Sequence, residues 1–359
     1  MRIYTIKVNK KAIILTTIIL IIITLILAKR TNTNIETSIN EKSENEYIKW
    51  VDFNATNEIL RQTAKMDIES HQKNEEIKYN WIEMLSYLAC KNGNNFTNSQ
   101  KKQIDELVEK IKKGETIEEI TKDMKYYEYY YESFSAILGG FIGNYEIEIQ
   151  KGNEKKYEKK YGIKAFLPIA KNYGFSHYDD FGNSRTYGFK RVHLGNDLMG
   201  SIGTPIIAVE SGTIAHIGWN QYGGWRIGIR SMDSKRYYYY AHLRKDHPYA
   251  PNLEEGSVVK AGDVIGYLGM TGYSPKENVN NINVPHLHFG MQLIFDESQF
   301  DSPKEIWIDV YQIIEFLKQN RSEVIKSETM KNEYTRKYDM IEEQILKNNG
   351  TWQEFPNML

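Results

Sequence analysis

Two pairs of residues in this sequence have types and spacings suited to binding a metal. His193 and Asp197 are four apart in KRVHLGNDLMG, and the HxH pair His286 and His288 is two apart in VPHLHFG. An even separation puts both members of a pair on one face of an extended strand. Imidazole nitrogen and carboxylate oxygen are zinc ligands, and a catalytic zinc keeps one position open for water. His193, Asp197 and one member of the HxH pair are therefore predicted to hold one zinc ion.

The other HxH histidine and His242, in YYYYAHLRK, are then left for proton transfer. Histidine suits this work because its unperturbed pKa is about 6.5. A dication held by two neutral imidazoles and one carboxylate keeps positive charge, which lowers the pKa of bound water toward about 7. The predicted chemistry is hydrolysis of an amide, with nearby donors stabilising the oxyanion and a histidine passing a proton to the leaving nitrogen.

Three further histidines are predicted to have no part in this chemistry. His216 lies in an apolar strand pattern and is assigned to packing or to the surface, and His247 precedes a proline in a loop. His177 is close in sequence to Asp179 and Asp180, but adjacent acids in a glycine-containing segment are typical of turns rather than of a second metal site.

The elements that position these residues follow from a β pattern between about residues 167 and 295. Short β-branched and aromatic runs such as TPIIAVE, SGTIAHIGW and KRYYYYAHL are separated by glycine-containing turns. This pattern predicts an antiparallel all-β domain, assigned to residues 166–320.

A helical domain is predicted before it, over residues 46–150. Apolar residues recur there with helical spacing, as at Trp81, Leu85, Leu88 and Ala89. Thr116 and Glu119 have the spacing of a capping box. Residues 151–165, rich in charge, are predicted to be a solvated connector, and residues 321–359 a helical tail without chemistry of its own.

The first 45 residues predict a membrane anchor and a linker. Residues 12–28 carry no charge, and basic residues are more numerous before them than after. The positive-inside rule then places the N-terminus in the cytoplasm. Residues 1–30 are assigned to the cytoplasmic end and a transmembrane helix in the lipid bilayer, and residues 31–45 to a linker. A cleaved signal peptide is the alternative, disfavoured because the apolar run ends in ILAKR.

Composition excludes several classes of protein. The formal net charge of -1 gives no basis for binding nucleic acid, which requires a basic excess. A single cysteine, Cys90, cannot form an internal disulfide and excludes Cys-based zinc fingers and CxxC redox enzymes.

Taken together, the HxxxD and HxH motifs, in this order and with YAHL between them, resemble the LytM or lysostaphin-type zinc endopeptidases that cut peptidoglycan. The matching strings include HLGNDLMGSIGTPIIAVESGTI, YYAHL, GSVVKAGDVIGYLGMTG and PHLHFG, over roughly residues 165–296. The resemblance implies a LytM-type domain (a duplicated hybrid motif). The whole chain is then expected to be α+β, with the helical domain and the transmembrane helix before the catalytic domain.

The resemblance also implies roles for single residues. His193, Asp197 and His288 match the ligands of one Zn2+ per catalytic domain. His286 and His242 match the two histidines that act on the water and on the oxyanion, and we expect His286 to carry the proton. Tyr187, six residues before His193, matches a tyrosine that some members use to stabilise the tetrahedral intermediate.

Two departures from the family pattern accompany this match. A longer loop, residues 273–284, follows MTG and is expected to border the site. Gly290 stands where the family often has Glu after HLHF.

The sequence thus predicts a membrane-anchored zinc endopeptidase acting on peptidoglycan stem or cross-link peptides. Such a chain would be a single-pass cell membrane protein whose catalytic domain faces the cell wall. The alternative is a catalytically silent LytM-fold module that activates a cell-wall amidase or serves as a cell-surface scaffold. The sequence leaves cell-wall or divisome-type proteins open as partners of the helical domain.

Overall fold

The computed structural model describes residues 47–151, 154–186, 190–328 and 330–342. The described residues from Ile48 onward form one compact unit. Its helices are α1 (Asn57–Gln72), α2 (Trp81–Asn92), α3 (Lys101–Lys112), α4 (Ile117–Thr121), α5 (Tyr127–Leu138) and α6 (Tyr311–Leu317).

The strands fall in three groups along the chain. The first is the pair β1 (Ile142–Lys151) and β2 (Glu154–Ile163). The second comprises β3 (Ser184–Thr186), β4 (Lys190–Val192), β5 (Asn196–Met199), β6 (Pro205–Ile207), β7 (Gly212–Asn220), β8 (Gly224–Ser231), β9 (Arg236–Ala241), β10 (Val258–Val259), β11 (Val264–Tyr267), β12 (His286–Leu293) and β13 (Ile306–Ile308). The last is β14 (Val324–Lys326), β15 (Tyr334–Arg336) and β16 (Met340–Ile341).

The antiparallel sheet predicted for the second half of the chain is confirmed. A seven-stranded sheet has the order β10-β7-β8-β9-β12-β13, and β5 also pairs with β12. All of its described pairings are antiparallel. Strands β3 and β4 form a separate short hairpin that leads into β5. Strand β12 is therefore central, with β9 on one side and both β5 and β13 on the other.

Helices α1 to α5 occupy the region for which the sequence predicts helices. The capping box at α4 is confirmed: the Glu119 N–H donates to Thr116 Oγ1 at 3.2 Å, and the Thr116 N–H donates to Glu119 Oε2 at 2.9 Å. The helices pack against α6, where Trp81 stacks on Phe316 with ring centroids 5.6 Å apart. The buried apolar residues of the helices and of the sheet form one continuous core.

The prediction of a solvated connector over residues 151–165 is wrong. Strand β2 lies in this segment and pairs with β1 along its whole length, from Ile142 opposite Ile163 to Lys151 opposite Glu154. Seven of its residues are exposed. Two of its lysines pair with acids of β1: Lys159 lies opposite Glu146, and Lys155 Nζ lies 3.0 Å from Glu148 Oε1. Opposite charges across strands favour pairing, but the partner strand cannot be identified from the charged segment alone.

The prediction of a helical tail is also wrong where the structure describes it. Helix α6 ends at Leu317, and residues 324–341 contain three short strands, of which β14 pairs with β15 and β16 with β1. The reason is tertiary contact: the Tyr334 N–H donates to the Tyr267 hydroxyl at 3.1 Å, and Arg336 Nη1 donates to the Ala261 carbonyl at 2.9 Å. Residues 343–359 lie outside the described residues.

The prediction of a single-pass membrane protein is contradicted. Among the helices of the described ranges, none is both long enough and apolar enough to cross a bilayer. The segment 12–28, to which the anchor and the bilayer contact were assigned, lies outside the described residues.

The arginine of a buried ion pair also connects the sheet to α5. Arg236 on β9 is 1% exposed; its Nε donates to Glu210 Oε2 at 2.6 Å, and its Nη1 donates to the Ala136 carbonyl at 2.6 Å. Tyr238 also donates its hydroxyl to Glu210. Burial opposes the charge of Arg236, but Glu210 and Asp233 outweigh it and raise its pKa. Both charges are therefore matched inside the core.

We expect Glu210→Gln to lower the free energy of unfolding by about 3–5 kcal/mol, because it leaves the buried Arg236 charge without its main partner. The control is Glu297→Gln, which breaks the ion pair with Arg230; the Glu297 side chain is 70% exposed, so the expected loss is below about 1 kcal/mol. Urea unfolding of both variants measures the difference, and equal losses would contradict the assignment.

Candidate metal centre

Strand pairing brings the predicted metal ligands to one place. On β5 and β12, Asp197 lies directly opposite His288. On the other side of β12, His288 lies opposite Ala241, and His242 follows at the end of β9. His193 comes just after β4, where its N–H donates to the Asn183 carbonyl at 3.0 Å.

Three donor atoms converge there. His193 Nε2 lies 3.0 Å from Asp197 Oδ1 and 3.1 Å from His288 Nδ1, and His288 Nδ1 lies 2.9 Å from Asp197 Oδ1. Within the described residues, these are the three side chains of the His, Cys, Asp and Glu types whose ligand atoms cluster closely enough for one ion. Two imidazole nitrogens and one carboxylate oxygen are a donor set that zinc prefers, so the residues fit the metal.

The charge of Asp197 is held by its neighbours. Burial opposes its ionisation, but the neighbouring His193 and His288 outweigh burial and lower its pKa below the ordinary value. Its other oxygen, Oδ2, accepts a hydrogen bond from Arg185 Nη2 at 3.1 Å. The carboxylate is therefore ionised and oriented before any metal binds.

Asp180 holds His193 from behind. The Nδ1 atom of His193, opposite the nitrogen that faces Asp197, lies 3.2 Å from Asp180 Oδ1, and Arg185 pairs with the other oxygen of the same carboxylate. The same Nδ1 lies 3.4 Å from the backbone carbonyl of Asp180, and an acceptor behind a ligating histidine fixes its tautomer and the orientation of its ring. The sequence pattern around Asp180 indicates only a turn and gives no sign of this contact.

His242 and His286 border the cluster as acceptors. His242 Nδ1 lies 2.9 Å from the Thr271 carbonyl, and His286 Nδ1 lies 2.8 Å from the Val284 carbonyl. A carbonyl only accepts, so in each neutral ring Nδ1 carries the proton and Nε2 has a free lone pair. His286 Nε2 lies 3.7 Å from Asp197 Oδ1, and the rings of His242 and His286 are 4.9 Å apart.

Two glycines make room for these side chains. A Cβ at Gly195 would lie 2.7 Å from His288 Cε1, so only glycine lets the chain between His193 and Asp197 pass this ring. At Gly290 a Cβ would lie 2.8 Å from the ring of Trp307 on β13. Tight packing against Trp307 thus accounts for glycine where the family often has Glu.

A cavity of about 200 Å3 opens onto the cluster. Its lining comprises Arg185, Thr186, Arg191, His193, Asp197, His242, Tyr273, His286 and His288. Tyr273 begins the long loop of residues 273–284, which borders the cavity as the sequence predicts. The arginines were missed; Arg191 could have been found by the period of two, because it precedes His193 by two residues.

The remaining predicted residues lie elsewhere. Tyr187 is outside the described residues. His216 packs in the sheet, with Nδ1 3.1 Å from the Tyr237 hydroxyl, and His247 Nε2 lies 2.8 Å from Glu333. His177 supports the site from outside, because its Nδ1 lies 2.7 Å from Oδ1 of Asn196, the neighbour of Asp197.

We expect His242 of the metal-free protein to stay neutral at a pH where a histidine in an unstructured peptide is half protonated. Burial lowers its pKa well below the ordinary value, and His286 and His288 lower it further. Nitrogen-15 NMR of the imidazole rings measures both the titration and the tautomer. A half-protonation point at or above that of the peptide, or a proton on Nε2 in the neutral ring, would contradict this geometry.

Known proteins resemble this chain mainly in the part that carries the cluster. Residues 191–301 match Peptidase family M23. The chain is 39% identical over 131 residues to the L-Ala–D-Glu endopeptidase of Bacillus subtilis, covering 36% of this chain and 38% of that protein. It is 41% identical over 99 residues to lysostaphin of Staphylococcus simulans, covering 27% of this chain and 17% of that protein. The match thus spans less than two fifths of the length of either relative.

A crystal structure of a LytM protein from Ruminococcus gnavus shares the fold, with a TM-score of 0.51 over 78% of this chain and 94% of that chain, at 22% identity. The family match, the similarity to the two endopeptidases and the shared fold agree with the HxxxD and HxH motifs. Residues 191–301 of this chain thus match peptidase family M23, and the described chain shares the fold of a LytM protein.

Proposed function

We propose that this chain is a zinc metalloendopeptidase that hydrolyses peptide bonds in the stem or cross-link peptides of peptidoglycan. The observation that carries the proposal is the convergence of His193 Nε2, Asp197 Oδ1 and His288 Nδ1, mutually 2.9–3.1 Å apart, at the mouth of a cavity. The endopeptidase names of the relatives support the reaction class.

His193, Asp197 and His288 are the residues that would hold one zinc ion. When bound, zinc polarises a substrate carbonyl and lowers the pKa of a bound water toward about 7. Asp197 supplies the one negative charge of the ligand set. Asp180 and Arg185 keep the ligands in place from outside.

His286 is the proposed proton carrier. Its Nδ1–H donates to the Val284 carbonyl, so Nε2 has a free lone pair. This Nε2 takes the proton of the attacking water and passes it to the leaving nitrogen. The ring is close to Asp197, and that negative charge stabilises the imidazolium formed on the way.

His242 was expected to donate to the oxyanion. With its Nδ1–H on the Thr271 carbonyl, it enters the reaction as an acceptor at Nε2 and becomes a donor only after taking up a proton. Tyr187 stays a predicted donor to the oxyanion.

The silent-module alternative is not favoured, because a module that only binds a partner has no need of three converging ligands with two further histidines beside them. Peptidoglycan peptides are the proposed binding partner. The cell-wall or divisome-type partners of the helical region stay a prediction.

We expect the zinc-loaded full-length chain to release new amino ends from purified peptidoglycan, and a chelator to abolish the release. Added zinc should restore it, since the ligands themselves are unchanged. Mass spectrometry of the released peptides identifies the bond. Unchanged peptidoglycan in the zinc-loaded sample would contradict the proposal.

We expect His193→Ala to lose bound zinc and activity together, because it removes a ligand. His286→Ala should keep its zinc while kcat falls by about 10²- to 10⁴-fold, since it removes only the proton carrier. Elemental analysis gives the zinc content and peptide release gives the rate. Loss of zinc from His286→Ala would show that the roles within the HxH pair are wrongly assigned.

A further inference from the structure

Two guanidinium groups face each other in the wall of the cavity. Arg185 on β3 and Arg191 on β4 are direct cross-strand partners, and both side chains line the cavity next to the metal cluster. Like charges opposite each other destabilise a strand pair. Such a pair is tolerated where negative charge offsets it.

The structure supplies that charge for Arg185. Its Nη2 pairs with one oxygen of Asp180 and lies 3.1 Å from Asp197 Oδ2. Arg185 is thus occupied in orienting the ligand set, and its charge is matched.

Arg191 is not matched in this way. Among the ion pairs of the described residues, none includes Arg191, and its Nε is buried without a hydrogen-bond partner. A buried donor without a partner costs free energy, and no hydrogen bond among the described residues involves the guanidinium of Arg191.

The side chain is held in a fixed orientation. Its guanidinium carbon lies 4.6 Å from the centroid of the Tyr273 ring, a cation–π contact. Arg191 precedes His193 by two residues, which places it on the side of the strand that carries the first ligand. The same Tyr273 ring lies 5.7 Å from His242. The charge is therefore presented next to the reacting position.

We propose that Arg191 binds a carboxylate on the peptide substrate beside the cleaved bond, with Tyr273 supporting the guanidinium, so that the enzyme selects acidic peptides. The planar guanidinium matches a carboxylate with two parallel hydrogen bonds. This inference rests on the proposed function and adds a substrate class to it. The Bacillus subtilis relative is named for a bond that precedes D-Glu, a residue with such a carboxylate.

The test compares two peptides that differ only in charge, one with D-Glu after L-Ala and one with D-Gln in its place. We expect the zinc-loaded full-length chain to prefer the D-Glu peptide by about 10- to 100-fold in kcat/KM, as for a hydrogen bond between charged groups. Arg191→Met, which keeps the length of the side chain, should lose this preference, because its loss of kcat/KM is larger on the D-Glu peptide than on the D-Gln peptide.

Two further variants make the result specific. Lys190→Met removes the same charge from the neighbouring exposed position and should keep the preference. Arg191→Lys, which keeps the charge without the planar fork, should retain part of it. Thermal melting and zinc content should match the wild type in all three.

Calorimetric titration of the metal-free chain with both peptides gives a readout that does not depend on hydrolysis. Tighter binding of the D-Glu peptide, lost in Arg191→Met, supports the inference. Equal binding or equal cleavage of the two peptides by the wild type overturns it, as does an equal loss on both in Arg191→Met. If neither these peptides nor peptidoglycan is cleaved while the binding preference persists, the proposed hydrolysis fails and carboxylate recognition stands.

Discussion

The pairing of β5 with β12 is the constraint on which the site depends. It sets Asp197 directly opposite His288, and the three donor atoms meet only in this register. A slip of one residue would turn either side chain to the opposite face of the sheet. The flanking strands β9 and β13 fix β12 in place, and Gly195 lets the loop that follows His193 close over the ring of His288. The sheet therefore works as a rigid frame for a ligand set that it also buries.

Electrostatic balance is the second feature of the site. Asp197 is kept ionised by the neighbouring His193, His288 and Arg185, and Asp180 orients the ring of His193 through its Nδ1 atom. Two neutral imidazoles accept at Nε2 because backbone carbonyls take their other proton. The protein itself thus holds in place the groups that are proposed as ligands and base, which is the condition for a site that does not have to reorganise during a reaction.

The region before residue 166 and the final strands pack against the same sheet and help to hold it in place. The helices share one core with the sheet, and Arg236, which is paired with Glu210, also donates to the Ala136 carbonyl of α5 from β9, the strand that directly precedes His242. Strand β16 pairs with β1, far away in sequence. The charged stretch that was predicted to be a connector forms strand β2 because its partner strand is β1. The strands after residue 323 are extended because the rest of the domain supplies hydrogen bonds to them, as at Tyr334.

The sequence by itself determined the metal-ligand motifs, the antiparallel β region, the helical region before it and the capping box, because each rests on local spacing and period. It also limited the third ligand to the HxH pair, and family resemblance selected His288. Tertiary structure alone decided what depends on distant partners: the register that joins Asp197 to His288, the contact of Asp180 with His193, and the cross-strand arginines beside Tyr273. Spacing along a chain encodes the face on which a side chain lies, whereas only the packing of separate strands determines what that face meets.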